Sequence, residues 1–173
     1  KEKLSFMQGT KQNNIKESVA KKIFNNISKF GGYGFNKSHS TAYAMISYRT
    51  AYLKANFPIE FMTSLFNAEI GNSSKIAKYI SECKTMKISV LAPSIEKSAK
   101  FFTIEEGNCI RFGLLAVKGV GESAIESIIS LRSKHDTFKN FTDFCRKTKS
   151  LHINKKVFES LIKAGCLDNL KYK

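Results

Sequence analysis

The sequence contains no long apolar run and only a few scattered cysteines, and each shortage excludes a class of protein. A bilayer-spanning helix needs roughly 18 or more consecutive apolar residues, and neither such a run nor the charged-then-apolar start of a signal peptide occurs. The four cysteines form no CxxC pair and only three histidines accompany them, so neither a disulfide framework nor a zinc site is expected. We therefore predict no membrane partner and a location in the reducing cytoplasm.

Clustered carboxylates are also missing. Two-metal phosphoryl transfer needs carboxylates held close together, whereas the 14 acidic residues are dispersed and only Glu105 and Glu106 are adjacent. Neither a Walker-type glycine loop nor a nucleophile elbow occurs. The sequence alone therefore predicts a chain that binds a ligand, with no catalytic residue and no metal ligand of its own.

Basic residues, by contrast, are abundant. There are 29 Lys and Arg against 14 Asp and Glu, which gives a net charge of +15 and a pI near 9.7. The excess is concentrated in residues 1–50, which hold nine basic and two acidic residues. A polyanion is the expected partner, although a lysine-rich but merely solvated surface is the alternative. An apolar content of 42% with 14 Phe predicts one folded domain or two small ones.

The spacing of apolar residues predicts a mainly α fold with a small β insert. Residues 1–13 are expected to be mostly irregular or the tail of a helix, with a break at Gly9 and Thr10. A helix over 15–30 should end at Gly31 and Gly32, and a helix apolar on two sides should run to about residue 56, largely buried. The later predicted elements are helices over 59–70 and 75–86, each preceded by a Pro or Asn-Ser-Ser start signal, a strand and hairpin within 87–116, and three short helices after 122.

The first candidate site is the loop at residues 33–43, which follows the glycines of the first long helix. Gly31, Gly32 and Gly34 permit backbone conformations that a Cβ forbids, and Ser38 or Ser40 can cap the next helix. Unsatisfied N–H groups and the positive end of a helix dipole collect at such a start. The four polar residues there predict a phosphate or nucleotide site: Asn36, Lys37, His39 and Ser40. The alternatives are that His39 only caps or packs and that Tyr43 belongs to a core.

The second candidate site is the turn at residues 117–125. An apolar-x-Gly-apolar-Gly sequence leading into an amphipathic helix is the helix-hairpin-helix pattern, in which backbone N–H groups hold a DNA phosphate without reading the base. Gly119 and Gly121 let the backbone come close, and Lys118 can add an ion pair. The similar turn at residues 164–166 predicts a second half of the same unit. The alternative is a tight turn between packed helices without a ligand.

Four stretches of the sequence resemble one protein family. They are residues 30–61, 76–93, 110–128 and 154–170. The first stretch includes YGFNKSHS and the third includes AVKGVGE. Together they resemble the C family of bacterial replicative DNA polymerases, the alpha-subunit family, from the fingers domain into the helix-hairpin-helix region. Arg49 stands where a Gln is expected in that family, and Gly32 where Ala is commoner. Because the chain opens on Lys1 without Met, we expect a segment of a longer protein.

The resemblance implies a fold, a set of partners and roles for the candidate residues. It implies a multihelical fingers segment over 1–92, a β-hairpin connection over 93–113 and a helix-hairpin-helix bundle over 114–173. Lys37 and His39 would contact the phosphates of an incoming deoxynucleoside triphosphate, with Asn36 beside them, and Ser40 and Tyr43 would lie near its base or sugar.

The same resemblance assigns the second site to primer–template DNA. The residues implied to hold the duplex are Lys118, Gly119, Val120, Gly121 and Ser123. Mg²⁺ would be bound by palm carboxylates outside this segment, and the sliding clamp and other replisome subunits would be partners of the longer protein. An isolated segment would then be inactive as a polymerase. The alternative is a non-enzymatic DNA-binding or scaffold protein.

Overall fold

The computed structural model describes residues 2–32, 37–135, 138–151 and 153–170. It confirms the mainly α fold class with a small sheet. The helices are α1 (Glu2–Gln12), α2 (Glu17–Gly32), α3 (Lys37–Asn56), α4 (Pro58–Ala68), α5 (Ser73–Thr85), α6 (Glu122–His135), α7 (Phe141–Thr148) and α8 (Lys155–Lys163). The strands are β1 (Ser89–Leu91), β2 (Thr103–Glu105) and β3 (Cys109–Arg111). Single turns of 3₁₀ helix occur at Leu114–Ala116 and Lys149–Leu151.

The chain forms two compact units, Lys1–Thr50 and Ala51–Lys173. In the first, α1 packs against α2, with the rings of Phe6 and Phe24 5.4 Å apart. Of the two expectations for residues 1–13, the helical one is correct and the irregular one is wrong. The expected break is also wrong, because Thr10 lies inside α1, is buried and donates its hydroxyl to the carbonyl of Met7 at 2.9 Å.

Gly31 and Gly32 lie in the last turn of α2, and the special backbone expected of them is absent. Neither has a positive φ, and a Cβ added to either would meet nothing within 4 Å. Gly34 lies outside the described residues, so the same expectation for it is open. Both glycines are therefore part of α2, in ordinary helical surroundings.

The largely buried helix expected after the glycine loop is wrong for α3. The helix forms over Lys37–Asn56, but no residue of it is buried, and Tyr43, Tyr48 and Tyr52 are each more than half exposed. Apolar residues on two sides of a helix indicate which of its surfaces are suited to burial. Whether those surfaces are buried depends on a neighbouring element, which the spacing of apolar residues within one helix does not specify.

The second unit begins with a core between α4, α5 and the sheet, and both helices form close to their predicted places. Pro58 is the first residue of α4, and Asn72 caps α5 by accepting the N–H of Lys75 at 3.2 Å. Phe66 and Phe102 stack with ring centroids 4.7 Å apart. The buried members of this core are Met62, Phe66, Ile76, Cys83, Ile88, Phe102 and Ile110.

The sheet contains the predicted hairpin and one pairing that the sequence does not predict. β2 and β3 pair antiparallel, whereas β1 pairs parallel with β3, giving the strand order β1-β3-β2. Arg111 donates to both carboxylate oxygens of Glu105 at 2.8 and 2.9 Å and to the carbonyl of Ala92 at 2.8 Å. One side chain thereby joins the hairpin to the segment that leaves β1.

A second core lies among the short helices of the C-terminal part. Its fully enclosed side chains include Leu114, Ile125, Ile128, Phe144 and Leu161. Arg132 of α6 donates to the carbonyl oxygens of Ile95 and Ser98 at 3.2 and 2.9 Å, which fixes the turn between β1 and β2. The predicted division of the chain at residues 92 and 113 stays a prediction.

Candidate nucleic-acid interface

The second candidate site is built on a turn between the 3₁₀ helix Leu114–Ala116 and α6. The N–H of Val120 donates to the carbonyl of Val117 at 3.2 Å and closes a four-residue turn. Gly119 occupies the third position with a φ of +88°, a conformation that strongly favours glycine. Gly165, in the similar turn after α8, also has a positive φ of +73°.

The two glycines of the turn differ in their surroundings. A Cβ on Gly119 would lie 2.7 Å from the hydroxyl oxygen of Ser160 on α8, so the turn packs directly against that helix. Gly121 has no positive φ, and a Cβ added there would meet nothing within 4 Å. Gly119 is therefore required by the fold, whereas Gly121 leaves open space in front of the backbone.

Five backbone N–H groups belong to exposed residues in and next to this turn. Those of Lys118, Gly119, Gly121, Glu122 and Ser123 donate no hydrogen bond within the described part of the chain. Val120 differs from them, because its side chain is buried and its N–H is engaged in the turn. Among the predicted DNA-binding residues, Val120 is thus an anchor of the turn, and the others present donors to solvent.

A groove of about 750 Å³ runs beside the turn. Its floor is mainly apolar, formed by residues such as Pro93, Phe112 and Ala164, and three lysines line it: Lys118, Lys156 and Lys163. The ion pairs in the described part of the chain use other lysines. Lys156 and Lys163 are not among the candidate binding residues predicted from the sequence. The signal that could have found them is their spacing of seven residues on one helix, which places them on the same face.

The two carboxylates nearest the turn share one lysine and are partly neutralised by it. Glu122 and Glu126, one turn apart on α6, both pair with Lys100, the second at 2.9 Å. These hydrogen bonds hold the pKa of the Lys100 ammonium above its usual range. The positive charge of Lys100 is therefore fixed beside the start of α6.

The first candidate site lies at the start of α3. Lys37 is the first residue of that helix, so Ser38 and Ser40 lie within its first turn and not at the cap position expected for them. The rings of His39 and Tyr43 contact each other with centroids 4.3 Å apart. Lys37, His39 and Tyr43 are exposed and Ser40 is half-buried. Asn36 lies outside the described residues. No observation here tests nucleotide binding, so this role stays a prediction.

Three further observations concern metal binding, thiol reactivity and membrane insertion. The described residues contain no group of three or more His, Cys, Asp or Glu residues arranged to hold a metal ion. Burial raises the pKa of the thiols of Cys83 and Cys166 to about 11, so both are protonated and poor nucleophiles at neutral pH. Within the same residues, no helix combines the length and apolarity needed to cross a membrane.

Comparison with known proteins places the turn in a recognised motif. The family described as the helix-hairpin-helix motif matches residues 87–173. Over 170 residues the chain is 42% identical to DNA polymerase III subunit alpha of Vibrio cholerae, covering 98% of this chain and 15% of that protein. The subunit of the same name from Deinococcus radiodurans is 44% identical over 163 residues, which is 94% of this chain and 12% of the relative.

A third relative gives the same result. DNA polymerase III subunit alpha of Pseudomonas aeruginosa is 42% identical over 170 residues, covering 98% of this chain and 14% of its own length. The chain thus spans only about a seventh of the length of the curated relatives it matches.

Proposed function

The chain belongs to the helix-hairpin-helix family and is homologous to a segment of bacterial DNA polymerase III alpha subunits, and from this premise we propose that it serves a replicative DNA-directed DNA polymerase. In this proposal the segment grips the primer–template duplex and positions the incoming deoxynucleoside triphosphate. The duplex contact is made through phosphates, independently of sequence. A bacterial replicative polymerase acts in the cytoplasm, and we propose that location for the segment.

The observation that carries the duplex contact is the Gly119 turn. Gly119 shapes this turn with its positive φ, the N–H groups of the exposed residues around it donate no hydrogen bond within the described residues, and Gly121 leaves open space beside its backbone, where α6 adds the positive end of its dipole. Lys118, Lys156 and Lys163 lie beside these donors and extend the positive surface along the groove. Several weak contacts to successive phosphates add up to firm binding, and they do so for a duplex of any base sequence.

The nucleotide-binding role rests on the start of α3. Lys37 and His39 are exposed in the first turn of a 20-residue helix, where backbone donors and the helix dipole favour a phosphate group. Tyr43 lies one turn further along, against the His39 ring. We propose that Lys37 and His39 contact the triphosphate and that Ser40 and Tyr43 lie near the sugar or base, with Asn36 preceding them in sequence.

Catalysis itself is assigned elsewhere. Mg²⁺-dependent nucleotidyl transfer needs carboxylates held close together around the metal ions, and the described residues contain no group of three or more His, Cys, Asp or Glu placed to hold a metal ion. We propose that Mg²⁺ is held by the rest of a longer polymerase, through which the sliding clamp and other replisome subunits also bind. The 173-residue chain alone should therefore bind duplex DNA and incorporate no nucleotide.

Titration of the 173-residue chain into a fluorescently labelled primer–template duplex tests the proposal. Fluorescence anisotropy at about 50 and 200 mM salt should show binding that weakens steeply with salt, by roughly tenfold or more if several phosphates are contacted. A second duplex of unrelated sequence is the control and should bind equally. Absence of binding at low salt, or binding that ignores salt, would contradict the duplex contact.

A further inference from the structure

Lys100 contacts two carboxylates at the start of α6. Its ammonium group pairs with Glu122 and lies 2.9 Å from a carboxylate oxygen of Glu126. The Lys100 side chain is only 24% exposed, whereas those of Glu122 and Glu126 are 60% and 59% exposed. The half-buried Lys100 ammonium therefore pairs with two exposed carboxylates beside the turn at residues 117–120 of the helix-hairpin-helix motif (the hairpin turn).

The position of Lys100 is fixed by the backbone that leads into the turn. Its carbonyl accepts the N–H of Leu115 at 3.0 Å, and the carbonyl of Ala99 accepts that of Leu114 at 3.0 Å. A Cβ on Gly113 would lie 2.9 Å from the Lys100 carbonyl oxygen and 2.5 Å from the Phe101 carbonyl carbon, so only glycine allows this approach.

The Phe101 ring further limits where the ammonium group can lie, with its centroid 5.6 Å from that group. The Lys100 backbone is thus held by the packing that shapes the turn, and its side chain reaches α6 from there. The Lys100 ammonium group is therefore already placed beside Glu122 and Glu126 in the absence of a ligand.

Glu122 creates an electrostatic conflict at this place. As the first residue of α6 it interacts favourably with the positive end of the helix dipole. The same helix end is where the proposed function places a DNA phosphate, and an unpaired carboxylate there would repel it. Glu126, one turn later, lies within the screening length of about 10 Å that applies at 0.1 M salt.

We propose that Lys100 is a positioning residue for DNA binding, which holds the carboxylates of Glu122 and Glu126 and offsets half of their negative charge, so that the hairpin turn can accept a phosphate. This inference rests on the proposed duplex contact. Lys100 leaves the acidic residues free to stabilise the helix start while it reduces their repulsion of the ligand. A purely structural Lys100, which only ties the 99–101 segment to α6, would change stability without changing how these carboxylates affect DNA affinity.

A double-mutant cycle on the 173-residue chain distinguishes these roles. The variants are Lys100→Met, the pair Glu122→Gln with Glu126→Gln, and all three changes together. Kd for a labelled duplex is measured at about 50 mM salt, and Tm is measured for each variant. Lys75→Met is the matched control, because Lys75 forms an exposed ion pair with Glu69 at 2.6 Å in the same unit.

We expect Lys100→Met to weaken duplex binding about fivefold, and Lys75→Met by less than about twofold. The glutamine pair should improve Kd about twofold in the presence of Lys100, where the three charges sum to −1, and about fivefold in the Lys100→Met background, where the two carboxylates are no longer held by a cation. Lys100→Arg, which keeps the charge, should bind within about twofold of wild type. If Lys100→Met does not fold, Lys100→Gln takes its place in the cycle.

Two results would overturn the inference, and they differ in what else they overturn. Equal gains from the glutamine pair in both backgrounds would show that the carboxylates act only through net charge, while the duplex contact would stand. No duplex binding by the wild-type chain at low salt would overturn the proposed function and this inference together.

Discussion

The hydroxyl oxygen of Ser160 lies 2.7 Å from the point that a Cβ on Gly119 would occupy. Helix α8 is thus packed against the hairpin turn at the residue whose φ of +88° shapes that turn. Two independent constraints, one of backbone conformation and one of space, meet at Gly119. The contact makes the geometry of the turn proposed to bind DNA depend on a helix about 40 residues further along the chain.

Gly119→Ala should destabilise the second unit, because alanine at this φ is strained and its Cβ meets Ser160. We expect a loss of about 1–3 kcal/mol in the free energy of unfolding. Thermal or urea denaturation followed by circular dichroism measures it. Repeating the change in a Ser160→Ala background removes the contact with the hydroxyl and leaves only the backbone strain. A Gly119→Ala variant as stable as wild type would contradict the turn geometry.

Gly121→Ala should separate DNA binding from stability. With no positive φ and no atom within 4 Å of the added Cβ, the change should alter the free energy of unfolding by less than about 1 kcal/mol. The same methyl group would obstruct a phosphate that approaches the exposed N–H groups, so duplex affinity should fall several-fold. Anisotropy titration measures the affinity. Unchanged affinity would indicate that the backbone at Gly121 does not contact DNA.

Lys156→Ala and Lys163→Ala test whether the groove carries phosphate contacts. Each should weaken binding of duplexes of any sequence, and each should reduce the slope of log K against log salt by about one unit. Lys78→Ala is a suitable control, because Lys78 is exposed on α5 in the same unit and lies outside the groove. Equal effects of all three changes would show that only net charge matters and that the groove is not a contact surface.

Much of the local structure can be predicted from the sequence, because its causes lie within a few residues. Pro58 and Asn72 start their helices as expected, and the β2–β3 hairpin forms at its predicted place. The positive φ of Gly119 follows from the same local pattern. Such features depend on backbone conformation and on neighbours close in sequence.

Features that depend on distant partners were not predictable. The prediction that α3 is largely buried is wrong, because apolar faces do not specify whether a neighbouring element covers them. The parallel pairing of β1 with β3 and the contact of Lys100 with Glu122 and Glu126 join residues about 20 or more positions apart. No pattern of spacing within one element reports such contacts, so the electrostatic surroundings of the candidate site appear only in the structure.

Asp143 should make the stability of the second unit sensitive to acid. Its carboxylate accepts the N–H of Lys139 at 3.2 Å and pairs with Arg146 and Lys147 at 2.7 and 2.9 Å. Hydrogen bonds from Lys147 and Arg146 hold the pKa of this carboxyl well below its usual range. A lowered folded-state pKa contributes stability above the unfolded value near 3.9, and this contribution is lost as the pH falls below it.

Asp143→Asn should therefore lower Tm at pH 7 and narrow its difference from wild type below about pH 4. Thermal melts between pH 2.5 and 7 measure both effects. Glu159→Gln is a suitable control, since Glu159 makes only a long, exposed contact of 3.8 Å with Lys155. A Tm difference for Asp143→Asn that does not change with pH would show that the carboxylate is not stabilised by its charge.

Lys37→Ala and His39→Ala should impair nucleotide use without impairing DNA binding, if the start of α3 holds a triphosphate. The test uses a chimera in which this chain replaces the matching 170 residues of the Vibrio cholerae subunit. In a primer-extension assay the unmutated chimera must first show activity. Each alanine change should then raise KM for the deoxynucleoside triphosphate several-fold, because a phosphate contact is lost. Lys22→Ala, exposed on α2, is the control and should leave KM unchanged.

The same experiment separates the two proposed classes of function. Duplex Kd measured on each chimera should stay within about twofold of the unmutated one, because the hairpin turn and its lysines are intact. Unchanged KM with weaker duplex binding would favour the alternative, a DNA-binding or scaffold segment whose first loop is structural. Tyr43→Phe adds a third comparison, since it keeps the ring that contacts His39 and removes only the hydroxyl. A raised KM in Lys37→Ala alone would assign the phosphate contact to lysine and leave His39 and Tyr43 as a packing pair.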